Sequence, residues 1–365
     1  MVLLGQVSRG RDNNLNLVRL VAATAVLVSH AWPLTLGSDA IEPGIAGYSL
    51  GRIAVFVFFV ISGFLITASF ERSDSLFRFV AARALRLMPG LVVSLVFVAF
   101  VVGPFVTTLP LTEYLLNPKT WTYVSSGTLL VSPQYNLPGV FADNPVQALN
   151  GSIWTLFYEA ACYGLVFVLG VVGMLGRVRL GIFAAAYLAF CAVALWSDMD
   201  LPYKVGRLLY LSVPFVVGMA AWAWRDRIPL SLAVVAPLAV AAALLQDTPG
   251  GYLAFTVALG YATFWIAYVP GGAIRRYNAL GDYSYGVYIY AFAIQGLVVH
   301  LFGSTSIALH IALAFPATLV LAILSWRLVE APSLALLKRL PDSFGPAAPR
   351  RGARVASAAM DLDNR

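Results

Sequence analysis

The sequence has few charged residues. Only 11% of its 365 residues are Asp, Glu, Lys or Arg, whereas 60% are hydrophobic. A water-soluble core of this length has no use for so much apolar surface, so an ordinary soluble domain is excluded. Several apolar runs are about 18–22 residues long, enough to cross a hydrocarbon layer of roughly 30 Å, and they are continuous, which excludes a β-barrel. The composition predicts an all-α, polytopic membrane protein.

Histidine and cysteine are also scarce, with three and two residues respectively. The histidines are scattered and both cysteines, Cys162 and Cys191, lie in apolar runs. We therefore expect no metal site, and two buried thiols rather than a disulfide. The formal net charge of +7 is compatible with nucleic acid, but the basic residues lie in short loops between apolar runs. Membrane topology explains them more simply, and we expect no nucleic-acid partner.

Ten apolar runs are interpreted as membrane spans. The first run is long and lacks a cleavage site, so we interpret it as a retained span rather than a signal peptide. The predicted spans are roughly 15–35, 51–70, 87–106, 153–175, 180–196, 206–224, 229–246, 251–268, 283–302 and 306–327.

The basic residues favour one side of the membrane if every span crosses it. The opposite side holds only Arg52, Lys119, Lys204 and Arg207. By the positive-inside rule, both termini are predicted to be cytoplasmic in a multi-pass protein of the inner or plasma membrane. The residues on the basic side are Arg9, Arg11, Arg72, Arg78, Arg83, Arg86, Arg177, Arg179, Arg225, Arg227, Arg275, Arg276, Lys338 and Arg339.

The longest connection, about 107–150, then faces outward. It is rich in Pro, Asn, Thr and aromatic residues. A connection this long is usually functional or disordered, and its aromatic content favours an ordered lid or substrate surface. We assign residues 1–340 to one membrane domain. Residues 341–365 are polar, rich in Pro, Ala and Arg and aperiodic, which predicts a disordered cytoplasmic tail.

Two ionisable residues lie within the first predicted span. Arg19 and His30 are eleven residues apart, which is nearly three helical turns, so both point in almost the same direction and are separated by about 16 Å along the axis. One interpretation is an arginine that reaches the headgroups and a histidine bonded within the bundle. The other is a functional polar face, because charged groups in a span are costly unless paired or wetted.

The segment NGSIWTLFYEAACY, residues 150–163, begins the fourth span and carries the third such group, Glu159. Glu159 lies about two turns into the membrane, at roughly the depth expected of His30. We therefore predict an imidazole–carboxylate pair, in which the carboxylate fixes the tautomer and raises the basicity of His30. The alternative is a neutral Glu159 bonded to a hydroxyl group.

These residues also carry a family resemblance. Arg19, ten intervening residues and His30 form a pattern that resembles the acyltransferase family 3 membrane proteins, the O-acetyltransferases of surface glycans. Further segments are similar to that family's motifs and follow in the same order across nearly the whole chain: FFVISGFLIT (58–67), RALRLMPG (83–90), NGSIWTLFYEAACY (150–163), LGDYSYGVYIYAF (280–292) and SWRLVEAP (325–332).

The sequence departs from the family pattern in two places. Many members carry a histidine and a proline after the late tyrosine, where this chain has Ala291 and Ala293. Ala331 replaces the basic residue before Pro332. Neither departure concerns His30 or Glu159, but the late segment supplies no catalytic histidine.

The resemblance implies transfer of an acyl group, usually acetyl, from cytoplasmic acetyl-CoA to a hydroxyl of a carbohydrate or lipid-linked glycan. His30 would be the general base, Glu159 would orient it, and Arg19 would hold the donor's phosphate or pantetheine end. The other donor-binding candidates are Arg78, Arg83, Arg86 and Ser62. The candidates for lining the acceptor cleft are Asn150, Ser152, Trp154, Tyr158, Ser284 and Tyr285.

Two alternatives stay open at this point. The arginines of residues 72–86 bind a nucleotide's phosphates, or they only set topology and contact anionic lipid. Intramembrane Arg, His and Glu also suit a proton-coupled transporter or a glycolipid flippase. Against a carrier, the spans show no matching Gly- or Pro-broken pair in two halves.

Overall fold

The computed structural model describes residues 1–10, 12–73, 75–197, 199–303 and 305–339. Arg11 and the tail predicted to be disordered, residues 341–365, lie outside the described residues. In the described residues the chain is mostly helical, and the strands found there form two short antiparallel pairs: β1 (Val2–Leu3) with β4 (Pro229–Leu230), and β2 (Gly44–Ile45) with β3 (Tyr48–Ser49).

The helices follow one another along the chain. In chain order they are α1 (Leu4–Val7), α2 (Leu15–Leu36), α3 (Leu50–Glu71), α4 (Leu76–Phe97), α5 (Gly103–Val106), α6 (Leu111–Leu116), α7 (Pro118–Leu129), α8 (Trp154–Val171), α9 (Arg177–Trp196), α10 (Tyr203–Ala223), α11 (Leu232–Leu244), α12 (Gly251–Tyr268), α13 (Ser284–Phe302), α14 (Ile307–Ser325) and α15 (Ala331–Ala335). Longer connections follow α2 and α7. A π-helical turn, Val98–Val102, joins α4 to α5, and a second, Trp326–Glu330, joins α14 to α15.

The part of the chain that the structure describes contains nine helices long and apolar enough to cross a membrane. The remaining predicted span, 229–246, is the seventh along the chain. It contains α11, which has 13 residues and is about 20 Å long. It is short because Pro229 and Leu230 pair with the N-terminal strand, and because the chain already turns at Leu245–Gly250 before α12. The predicted all-α membrane fold is confirmed.

The third span begins eleven residues earlier than its apolar run. α4 starts at Leu76 rather than at residue 87, so Arg78, Arg83 and Arg86 lie on a helix rather than in a loop. The residues from Leu76 to Met88 favour a helix, because they contain no Gly or Pro and several Ala, Leu and Arg. The arginines are therefore held on a fixed surface.

The two ends of the bundle differ in the groups they hold. One end, called here the basic face, contains the N-terminal strand, the connection from α10 to α11, and Asp282. The opposite end, called the loop face, contains residues 107–150. This long connection is ordered by α6 and α7 and packs on the bundle: Tyr114 donates to the carbonyl of Ala99 and Asn144 to that of Gly296.

Candidate active site

A network of ion pairs lies at the basic face, where three helices converge. Arg19 of α2 pairs with Asp282. Arg86 of α4 lies 2.6 Å from the Asp282 carboxylate and 2.8 Å from the carboxylate of Glu330 in the second π turn. These four residues, Arg19, Arg86, Asp282 and Glu330, are called the charge network below. Each arginine is neutralised by a carboxylate, which is how such groups are tolerated away from water.

Ser284 belongs to this network rather than to an acceptor cleft. Its hydroxyl donates to Asp282 over 2.5 Å, and its backbone N–H also points to that carboxylate. Burial alone would raise the pKa of Asp282, but Arg19 and Arg86, together with Ser284, outweigh it and hold the pKa below its usual value. Asp282 is therefore ionised, as a bridge between two arginines requires.

Glu159 lies next to this network but pairs with hydroxyl groups. Its carboxylate accepts hydrogen bonds from Ser62, over 3.2 Å, and from Tyr163. The ring of Tyr163 is 6.0 Å from the guanidinium carbon of Arg83. The buried Nε of Arg83 has no hydrogen-bond partner among the described residues. Arg83 is thus a half-buried arginine whose buried Nε–H is an unused donor near Glu159.

The first of three adjoining spaces, the inner cavity, has a volume of about 40 Å³. It brings together charged groups of the network with Glu159 and three tyrosines. Its polar lining residues are Arg19, Arg86, Thr155, Glu159, Tyr163, Tyr285 and Tyr288.

His30 faces a second, larger cavity of about 180 Å³, called the His30 cavity. Its ring packs edge-on against Phe292, with the centroids 5.3 Å apart. The Nδ1 atom is buried and has no hydrogen-bond partner in the described part of the chain. The other polar lining residues are Glu42, Ser49, Arg52, Ser152, Trp154, Arg207, Tyr210 and Tyr288. A buried ring nitrogen without a partner is poised to bind a substrate group or a water molecule.

The predicted pair between His30 and Glu159 is wrong. Glu159 is bonded to Ser62 and Tyr163 and lines the inner cavity, whereas His30 lines the His30 cavity. The prediction assumed that α2 and α8 begin and end at common depths. Instead, Ser152 and Trp154, at the very start of the α8 segment, lie at the level of His30, so Glu159 is more than a turn further towards the basic face.

The carboxylate that faces His30 is Glu42, which the sequence analysis missed. Glu42 accepts a hydrogen bond from Ser29, whose oxygen in turn accepts the backbone N–H of Gly51 over 2.9 Å. The analysis considered only charges within spans, and Glu42 lies in the connection between α2 and α3. The sequence offers one weak signal for this arrangement, the turn residues Ala46 and Gly47. Both have positive φ in the structure, as a tight hairpin requires. This hairpin folds the connection back over the bundle.

The third space is an open vestibule of about 470 Å³ on the loop face. It adjoins the His30 cavity through Trp154 and Arg207, which line both. The His30 cavity adjoins the inner cavity in the same way through Val55 and Tyr288. The three spaces therefore form a series from the charge network to the loop face. The vestibule is lined by Leu130, Val131, Ser132, Pro133, Tyr135, Trp154, Phe157, Tyr158, Tyr203, Lys204 and Arg207.

The remaining candidates are divided among these regions. Tyr158 lines the vestibule, and the unbonded hydroxyl of Ser152 lines the His30 cavity. Asn150 is fully buried beneath the loop connection. Tyr285 donates to the carbonyl of Leu87 and carries Arg86 above its ring at 5.4 Å. Arg78 lies two turns before Arg86 on α4 and lines none of the three spaces.

The fold and the site thus define a polytopic helical membrane protein. Its histidine His30, with a buried ring nitrogen, lies between two polar spaces. The chain belongs to acyltransferase family 3, because the family's sequence model, described as an acyltransferase domain, matches residues 12–327. In the described residues, no group of three or more His, Cys, Asp or Glu side chains is arranged to hold a metal ion.

Three curated proteins illustrate the similarity. An O-acetyl transferase of Shigella phage Sf6 is 30% identical over 88% of this chain and 95% of its own length. Nodulation protein 10 of Rhizobium leguminosarum bv. viciae is 26% identical over 90% and 95%. The exopolysaccharide production protein ExoZ of Rhizobium meliloti is 27% identical over 80% and 90%. No solved structure matches this chain.

Proposed function

We propose that this protein is an integral-membrane O-acyltransferase that moves an acetyl group from acetyl-CoA to a hydroxyl of a cell-surface carbohydrate or glycolipid. One observation carries the proposal: the Nδ1 atom of His30 is buried and has no hydrogen-bond partner among the described residues, and His30 lines the cavity that lies between the inner cavity and the open vestibule. The family and the similarity to a phage O-acetyl transferase support the reaction class.

The basic face is proposed to be cytoplasmic, with both termini, in the cell membrane. The distribution of Lys and Arg supports this orientation, because the loop face holds only four of the basic residues assigned to the two sides. Acetyl-CoA would then enter from the side of the charge network. The glycan acceptor would enter through the vestibule.

The donor's phosphates are proposed to bind near Arg83. Arg86 is already paired with Asp282 and Glu330, and Arg19 with Asp282. Arg83 has no such partner among the described residues and retains unused N–H groups suited to phosphate oxygens. A pantetheine arm is similar in length to the roughly 16 Å that separates Arg19 from His30 along α2. Phosphates held at the depth of Arg19 would therefore leave the thioester near His30.

The chemistry needs one general base. His30 would accept the proton of the acceptor hydroxyl as its oxygen attacks the thioester carbon. The C–S bond then breaks, the acetyl group is left on the sugar oxygen, and the imidazolium returns the proton to the CoA thiolate. Glu42 would stabilise the imidazolium, and the unbonded hydroxyl of Ser152 would donate to the carbonyl oxygen as its negative charge develops. Glu159 would balance the charge of Arg83.

The carrier hypothesis and the enzyme hypothesis differ in one measurable product. Purified protein in lipid nanodiscs, given acetyl-CoA and a glycan acceptor, should release free CoA thiol in equal amount to acetylated glycan, and none without acceptor. A transporter would move the glycan across a vesicle membrane without releasing CoA. Transport with no thiol release would overturn the proposed reaction.

A further inference from the structure

We propose that the acceptor is an anionic saccharide, and that its carboxylate or phosphate group binds at Arg207 and Lys204 in the vestibule. This inference rests on the proposed function, which it extends by naming the chemical class of the acceptor. It is argued from the distribution of charge around the two outer spaces.

Basic residues are rare on the loop face, yet they are concentrated at the site. Of the four there, Arg52 and Arg207 line the His30 cavity, and Lys204 and Arg207 line the vestibule. Only Lys119 lies elsewhere, on α7. The positive-inside rule disfavours cations on this side of the membrane, so topology does not explain their clustering. An anionic ligand explains it.

Within the described ranges, the vestibule offers these cations no protein counter-ion. None of its lining residues is Asp or Glu. Among the described residues, no carboxylate lies within ion-pair distance of Arg207 or Lys204. Glu42, the acidic residue that the described lining of the adjoining His30 cavity contains, accepts a hydrogen bond from Ser29. The cations are thus available to a bound anion.

Aromatic rings hold Arg207 in a fixed orientation. Its guanidinium carbon lies 5.3 Å from the ring centroid of Trp154 and 5.2 Å from that of Tyr203. Cation–π contacts through the faces of the guanidinium leave its in-plane N–H groups free for a carboxylate or phosphate. Lys204 is held by a 2.8 Å hydrogen bond from its ammonium group to the carbonyl of Val131. A preorganised cation loses little entropy when an anion binds.

The same wall suits a sugar ring. Tyr135, Phe157 and Tyr158 add aromatic surface beside Trp154 and Tyr203, and such surfaces, combined with a few fixed polar groups, are typical of small-ligand sites. Trp154 and Arg207 also line the His30 cavity. A saccharide anchored by its anionic group in the vestibule would therefore present a neighbouring hydroxyl to His30.

The test uses the full-length protein in nanodiscs of neutral phosphatidylcholine with labelled acetyl-CoA. Three soluble probes are compared: a neutral oligosaccharide, one bearing a uronic acid and one bearing a phosphate. The variants are Arg207→Gln, the charge-conserving Arg207→Lys, and the control Lys119→Gln, which removes an exposed cation of the same face outside the cavities. Probe binding without acetyl-CoA is followed in parallel by tryptophan fluorescence.

We expect the wild type to use at least one anionic probe with a kcat/KM about tenfold or more above that of the neutral probe. Arg207→Gln should abolish this preference through a raised KM for the anionic probes, and elution of the variant like the wild type in size-exclusion chromatography shows that it is folded. Arg207→Lys should retain part of the preference, and Lys119→Gln all of it. The preference should fall with added salt.

Three results would overturn the inference: equal use of all probes by the wild type, an equal loss on all probes in Arg207→Gln, or no binding of either anionic probe. A fourth would be competition by phosphatidylglycerol in the nanodiscs, which would assign the cations to a lipid headgroup. Anion binding that depends on Arg207 but is followed by no acetyl transfer would instead overturn the proposed reaction and support the anion site.

Discussion

His30 is surrounded by groups from several parts of the chain, which share its cavity or pack on its ring. Glu42 comes from the hairpin connection, Ser152 from the turn before α8, and Phe292 from α13. The two kinds of neighbour act on an imidazole in opposite ways. An aromatic ring excludes water and so disfavours the protonated form, whereas a carboxylate favours the protonated form. A general base needs the second influence to accept a proton, so the proposed reaction makes the reactivity of His30 depend on Glu42.

Glu42→Gln should lower the kcat of acetyl transfer about tenfold to a hundredfold, because the amide keeps the shape but no longer stabilises the imidazolium. The KM for acetyl-CoA should stay unchanged, since Glu42 lies far from the charge network. Steady-state kinetics at saturating acceptor gives both values. Asp39→Asn in the same connection is the control, because Asp39 is exposed to solvent. An unchanged kcat in Glu42→Gln would remove Glu42 from the mechanism.

Sequence spacing predicted the common face of Arg19 and His30 on α2, but it did not predict which carboxylate lies near His30. The eleven-residue interval places Arg19 and His30 on one side of α2, and the two residues do line adjoining cavities. The partner of His30 could not be predicted in this way, because spacing describes one helix and carries no information on the relative depth of two. Glu42 depended on a hairpin whose turn residues, Ala46 and Gly47, form only a weak sequence signal.

α3 and α10 approach each other closely at the centre of the bundle, and two glycines make this possible. A Cβ atom on Gly63 would lie 1.9 Å from the carbonyl oxygen of Phe215, and one on Gly218 would lie 2.1 Å from that of Val60. Small residues at such crossings are how membrane helices pack, because lipid provides little hydrophobic force between them. This contact fixes α3, which carries Phe58 to the inner cavity and Arg52 to the His30 cavity.

Gly218→Ala should destabilise the folded protein by about 1–3 kcal/mol or more, since the backbone of α3 must move to admit the methyl group. Gly206→Ala on the same helix should be neutral or slightly stabilising, because a Cβ there meets no atom within 4 Å. Thermal unfolding in detergent, followed by size-exclusion chromatography of the heated samples, compares the two variants. Equal midpoints would show that the close contact is not required.

Helix positions were predictable where an apolar run coincides with a helix, as in α3, α12 and α13. The start of α4 was not, because its first three turns carry Arg78, Arg83 and Arg86 and so lower the local hydropathy. The length of α11 was also not predictable, since it depends on pairing between Pro229–Leu230 and the N-terminal strand, which are distant in sequence. Hydropathy identifies apolar segments but not the tertiary contacts that end them.

Across the whole molecule, the three spaces lie in series between the charge network and the loop face, so in the proposed reaction the orientation in the membrane decides which substrate enters from which side. Single-cysteine labelling tests the proposed orientation. Native Cys162 and Cys191 are only 1% and 0% exposed, so they should react little. In intact cells, a membrane-impermeant maleimide should label Ser125→Cys in the long loop and should label Arg227→Cys only after permeabilisation. The reverse labelling pattern would show that the protein has the opposite orientation in the membrane.

The most direct test of the account is acetyl transfer by His30→Ala, with His300→Ala as the matched control. His300 is exposed and lines none of the three spaces. Both variants should insert into membranes and elute as the wild type does. We predict that His30→Ala loses about a hundredfold or more of the transfer rate, the contribution expected of a general base, while His300→Ala keeps the wild-type rate. Full transfer by a normally inserted His30→Ala protein would contradict the account.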